Sequence, residues 1–159
     1  MKNTTIRNAE FRDAAAIFGL IRANPKEVLP RPISDIVQSI DRFLVCEEKG
    51  EVIGAVSWQI LPEMAAGKDP AIEIKSLVVA ESARGRGIGG ALAKAAIKRA
   101  GVFRPAEIIV LTFYPDFFRR LGFKEVPKEG LMHKLYTGCI NCTKYDSPFT
   151  CPEVAMILR

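Results

Sequence analysis

The chain has 159 residues, 48% of them hydrophobic and 26% charged, with a formal net charge of +5 at neutral pH. That length suits a single domain, 1–159, around one hydrophobic core, and no apolar run approaches the roughly 20 residues that cross a bilayer. The basic residues are scattered and lack interleaved aromatics, which argues against a nucleic-acid surface.

The start, MKNTTIRNAEF, has neither an apolar segment nor a small-residue cleavage pattern, so the expectation is a cytoplasmic, reducing location without disulfides. In chain order, TTIRNA predicts a first strand. RDAAAIFGLIRAN places Ala14, Ile17, Phe18 and Ile21 on one helical face. ISDIVQSIDRF repeats that period with Ile33, Ile36, Val37 and Ile40, predicting one helix through the whole segment. RFLVCEE, a turn at EKGE, and EVIGAVSWQIL predict an antiparallel hairpin. AIEIKSLVVA alternates and then becomes continuously apolar, as a central strand does.

A helix is predicted from Ile88 to Ala100, stopped by Gly101. EIIVLTF predicts a buried strand and YPDFFRRLGF a short helix, and LMHKLY and EVAMIL close the sheet. The pattern is α+β, a mixed, mostly antiparallel sheet of about seven strands flanked by about four helices.

Four of the twelve glycines fall between Gly85 and Gly90, in VVAESARGRGIGGALAK, with Arg84 and Arg86 beside them. Glycines there let backbone N–H groups turn inward as a nest at a helix N-terminus, where the helix dipole favours an anion. A plain strand-to-helix turn accounts for one or two glycines, not for four with two arginines. A phosphate or pyrophosphate site accounts for all of them. Gly85, Gly87 and Gly90 also satisfy G-x-G-x-x-G, but the dinucleotide motif follows its strand almost at once, whereas AESAR intervenes here. No Gly-Lys-Ser/Thr follows, which excludes a Walker P-loop.

Arg84, Gly87 and Gly89 fit R/Q-x-x-G-x-G/A, and in this the chain resembles the GNAT N-acetyltransferases, with the order of elements agreeing along nearly its whole length. The resemblance implies the GNAT fold and acetyl-CoA as cofactor. Its pyrophosphate is then expected on the backbone of Arg84, Gly85, Arg86, Gly87, Ile88, Gly89 and Gly90. It also implies a bulged fourth strand whose backbone near Leu77, Val78 and Val79 binds the pantetheine arm and polarises the acetyl carbonyl. Within the superfamily, FLVCEEKGEVIGAVSWQILPE, LPRPISDI and CINC…CPEVAMI are similar to short N-acetylglutamate synthases, which implies a small amine, glutamate, as acceptor. Many members carry a tyrosine general acid four residues before the Gly-Phe of FFRRLGF, where this chain has Phe118.

An amino-acid amine has a pKa of about 8 or above, so a base or a water chain must take its proton. Glu73 is the first candidate, with pairing to Lys75, Arg22 or solvent as the alternative. Ser76 could hold a water, and Tyr114 could replace the absent acid. Glutamate presents two carboxylates, for which Arg31 in the stiff LPRP segment is the leading partner, ahead of Lys75 and Lys134. Cys139, Cys142 and Cys151 form C-x2-C-x8-C, with His133 six residues upstream of Cys139. That set permits a Cys3His zinc site, but a second C-x2-C is absent, and the balance favours a redox pair or packed thiols. Cys46 reads as core. A homodimer is compatible with the sequence, a membrane partner is not expected, and the competing functions are transfer to another amine or non-catalytic acyl-CoA sensing.

Overall fold

The computed structural model describes residues 3–62, 69–128 and 152–159. Those residues form β1 (Thr4–Asn8), α1 (Ala14–Ala23), α2 (Ile33–Gln38), β2 (Phe43–Glu48), β3 (Glu51–Leu61), β4 (Ala71–Val79), α3 (Ile88–Gly101), β5 (Ile108–Thr112), α4 (Pro115–Arg119), β6 (Lys124–Glu125) and β7 (Val154–Leu158). The strands hydrogen-bond in the order β1-β2-β3-β4-β5-β7-β6. The β1–β2, β2–β3, β5–β7 and β6–β7 pairs are antiparallel, and β4–β5 is parallel. The expected strand LMHKLY lies outside the described residues, and the two-residue β6 was not anticipated because so short a segment carries no alternation to detect.

The chain divides into two compact units, one of Met1–Trp58 with Ile74–Arg99, the other of Gln59–Glu73 with Ala100–Arg159. In the first, the β2–β3 turn puts Lys49 at φ +52° and Gly50 at φ +82°, the double left-handed turn whose twist matches a hairpin. The core of this unit is Ala14, Ile17 and Ile21 of α1, with Val28, Ile36, Phe43, Val45, Ala55 and Val78. Each fully buried aliphatic side chain contributes about 1.5–3 kcal/mol. Phe18 packs at its edge.

The second predicted helix is shorter than its hydrophobic period suggested. It ends at Gln38, and Ser39 (φ −108°, ψ 15°) leads into a single tight turn, Ile40–Arg42. With so few turns, only Ile36 is buried, and Ile33 and Val37 are exposed. In the second unit, Leu61, Ala71, Ile109, Ala155 and Ile157 form the core. The α4 helix begins with Pro115 in its first turn, and Gly122 at φ +95° turns the chain out of it.

Candidate functional site

The glycine stretch folds as its composition requires. A short turn, Glu81–Ala83, follows β4, and α3 starts at Ile88. Gly85 and Gly87 hold φ +77° and +80°, values that side chains with a Cβ rarely adopt, and a Cβ added at either would meet nothing within 4 Å. The turn is thus open on its outer side. Arg84 gives its N–H to Glu81 (3.3 Å), and the next backbone bond is from Ala91 to Gly87 (3.1 Å). Among the described residues, the N–H groups of residues 85–90 have no main-chain acceptor. A row of uncapped donors, two glycines that keep the approach clear and the start of a fourteen-residue helix make a cradle suited to a diphosphate.

The two arginines of the turn are themselves held. Arg86 grips Glu48 with Nη2 at 2.5 Å and Nη1 at 3.2 Å. That hydrogen bond, with the charge each group presents to the other, raises the Arg86 pKa and lowers that of Glu48. Arg84 bonds Asn24 through Nη2, lies 3.6 Å from Glu27, and donates from Nε to the Val79 carbonyl at 3.4 Å. The sequence nominated both arginines as phosphate donors but gave no sign of these carboxylates.

On β4, Ser76 has φ +56°, a left-handed residue inside a strand. It lies immediately before Leu77, Val78 and Val79, the residues near which the family resemblance implied a bulge. Such a conformation costs about 1–2 kcal/mol for a residue with a Cβ. Arg31 Nη1 donates to Ser76 Oγ at 2.9 Å and to Ser57 Oγ at 2.9 Å, while the Ser57 hydroxyl donates to the Lys75 carbonyl at 3.2 Å. A hydrogen bond from a charged donor contributes about 1.5–3 kcal/mol, enough to offset the strain.

Arg31 is fixed in turn by Asp35, 2.7 Å from its Nε, and by the Phe43 ring, whose centroid is 4.9 Å from the guanidinium carbon. Burial is the largest influence on Asp35 and pushes its carboxyl up. The Arg31 hydrogen bond and the charges of Arg31, Lys75 and Arg42 together outweigh it, so the pKa falls below the ordinary value. Two of the predicted acceptor ligands, Arg31 and Lys75, therefore both act on Asp35, as does Arg42, which also lies 3.8 Å from Asp41. Lys134 lies outside the described residues, as do His133, Cys139, Cys142 and Cys151. Among the described residues, no group of three His, Cys, Asp or Glu could hold a metal.

The remaining candidates belong to the second unit. Glu73 is 3% exposed on β4, paired in register with Ile109 of β5. The β4–β5 register comprises Ile72 with Ile108 and Glu73 with Ile109, and β4 runs on to Val79. Tyr114 caps α4, donates its N–H to Thr112 Oγ1 at 2.9 Å and is 49% exposed. Phe118, where many relatives place a tyrosine, is buried edge-to-face between Phe117 (5.0 Å) and Phe123 (5.4 Å). It is a core residue here.

Asp35, Ser57 and Phe43 were missed as supports of Arg31. Asp35 stands four residues after Arg31, the spacing at which side chains meet around a helix start. Ser57 is a lone hydroxyl in the apolar run GAVSW, 1% exposed. Each signal was present, and neither is specific.

Comparison with known proteins agrees with this geometry. Residues 39–125 match the family model of the acetyltransferase (GNAT) domain. Over 160 aligned residues, 98% of this chain and 96% of the relative, the chain is 36% identical to an uncharacterized N-acetyltransferase of Chlorobaculum tepidum. It is 26% identical to an amino-acid acetyltransferase of Mycobacterium tuberculosis over 89% of this chain and 79% of that one. A Mycobacterium tuberculosis protein crystallised in complex with CoA and NLQ superposes with a TM-score of 0.79 at 25% identity, covering 97% of this chain and 98% of that one. The N-acetylglutamate synthase of Neisseria gonorrhoeae, complexed with coenzyme A and N-acetyl-glutamate, superposes with a TM-score of 0.76 at 21% identity, covering 98% of this chain and 35% of that one. With the open amide cradle, the extent of these matches makes the chain a member of the GNAT acetyltransferase family, with acetyl-CoA as its cofactor.

Proposed function

We propose that the protein transfers the acetyl group of acetyl-CoA to the α-amine of glutamate. The observation that carries the reading is the pairing of an uncapped amide cradle at residues 85–90 with a cationic locality around Arg31, Lys75 and Arg42 in the same unit. The cradle suits a diphosphate, and the cations suit an acceptor with two carboxylates. Arg31 gives Nε to Asp35 and Nη1 to two serines, and among the described residues its Nη2 has no hydrogen-bond acceptor. The names of two relatives, an amino-acid acetyltransferase and an N-acetylglutamate synthase, support the same acceptor.

In this reading the acceptor nitrogen attacks the thioester carbonyl carbon, a C–N bond forms, the C–S bond breaks and the thiolate leaves. Charge developing on the carbonyl oxygen is met by main-chain N–H groups near Val78 and Val79, which need no special side chain. A general base takes the amine proton, directly or through water, and a general acid returns a proton to the thiolate; Glu73 and Tyr114 are the residues that the sequence nominates for these two tasks. The experiment is a thiol-release assay with acetyl-CoA across amino acids and amines. Glutamate is the fastest acceptor on this reading, and faster turnover of lysine or spermidine overturns it.

A further inference from the structure

We propose that Arg31 is a positioning residue for acyl transfer: its Nη1 hydrogen bond to the Ser76 hydroxyl holds the left-handed turn in β4 that aims the N–H groups of Leu77, Val78 and Val79. The inference rests on the acetyltransfer reading above and adds to Arg31 a task that does not depend on what the acceptor is.

Serine has little intrinsic reason to sit at φ +56° within a strand, a position that suits Gly or Asn. A side chain so placed persists only where its surroundings over-determine it. Here they do so twice. Arg31 reaches the Ser76 hydroxyl directly, and through Ser57 it reaches the carbonyl of Lys75, so consecutive residues of the kink are both tied to one guanidinium nitrogen.

The tie is stiff at its other end as well. Pro30 and Pro32 flank Arg31, Asp35 fixes Nε, Phe43 lies against the guanidinium plane, and the side chain is 9% exposed. A planar fork with several fixed donors can do this, and a lysine ammonium cannot. If Ser76 relaxed to extended backbone, the residues after it would turn to the opposite face of the strand, and their N–H groups would leave the carbonyl. The segment expected over the acceptor and the strand expected under the acetyl group are therefore one mechanical unit.

The test is steady-state kinetics, with the amine that the wild type acetylates, alongside calorimetry with coenzyme A. Arg31→Lys lowers kcat by about tenfold or more, the loss expected when a strained backbone is released. Adding Ser76→Gly restores the bend, because glycine adopts positive φ freely, so the double variant regains kcat to within about threefold of the wild type. Its acceptor KM stays where Arg31→Lys left it. An Arg31→Lys variant altered in acceptor KM alone, or a double variant with no recovery of kcat, overturns the proposal.

If Arg31→Lys fails to fold, Ser76→Ala carries the test by itself. The proposal expects lower kcat, unchanged acceptor KM and coenzyme A binding weakened several-fold, and an unchanged kcat with unchanged binding refutes it. Failure of the glutamate assignment looks different, since the wild type then turns over another amine while the rescue by Ser76→Gly persists.

Discussion

Arg86 on the glycine turn and Glu48 at the end of β2 form a two-pronged ion pair, with contacts of 2.5 and 3.2 Å. The carboxylate occupies the guanidinium that a phosphate would otherwise recruit. Glu48→Gln removes that competitor. Because both groups are at the surface, folding stability is unaffected. Coenzyme A binding measured by calorimetry becomes about threefold tighter, and more so at low salt, because screening weakens the new contact. Weaker binding would show instead that Glu48 orients Arg86 for its ligand.

Arg7 and Asp13 form a pair whose contribution to stability depends on pH. Asp13 is buried and receives the Arg7 guanidinium at 2.8 and 2.9 Å and the Glu10 N–H at 2.7 Å. The Arg7 hydrogen bond is the chief influence, and it holds the carboxyl below its ordinary value despite burial. A depressed carboxyl stabilises the fold above its unfolded pKa of about 3.9, and the contribution is lost as the pH falls through the folded value. Asp13→Asn therefore destabilises by about 2 kcal/mol at neutral pH, and the gap closes as the pH falls below about 4. Urea unfolding across that range checks the sign, and a gap that widens in acid contradicts it.

Phe118→Tyr tests whether the family's usual acid can be restored. Its ring is enclosed by Phe117 and Phe123, so an added hydroxyl is buried in an apolar contact and costs about 1–3 kcal/mol. The variant melts at a lower temperature and gains no activity. A rise in kcat would place this residue at the leaving thiolate.

Gly87→Val separates the cradle from the core. A Cβ added there meets no atom within 4 Å, but the valine must adopt φ +80° as a β-branched residue. The turn reshapes to avoid this, the amides lose their convergence, and coenzyme A affinity falls at least tenfold, a change of about 1.4 kcal/mol. Because the turn is exposed, most of the loss appears in binding and little in the melting temperature.

How much of this was legible in the sequence follows from which residues advertise their backbone. Gly85, Gly87 and Gly50 mark positive φ because no other residue takes it as readily, so the cradle and the hairpin turn could be placed to the residue. Ser76 adopts the same region of φ without any such mark, since its conformation is imposed by Arg31 forty-five residues away. Periodicity located α1 and α3, where the apolar face meets a core. It overextended α2, where Ile33 and Val37 keep the spacing but remain exposed. Arg31 was nominated from the stiff LPRP segment together with the family resemblance, whereas its partners Asp35 and Ser57, and Glu48 and Asn24 beside the glycine turn, were not, because partners brought together by folding leave no local trace.

The most direct test is calorimetric titration of the folded protein with coenzyme A. If the amides of residues 85–90 receive a diphosphate, the titration shows saturable one-to-one heat that Gly87→Val diminishes. A protein that yields no heat, or one whose Gly87→Val variant binds as tightly as the wild type, contradicts the account.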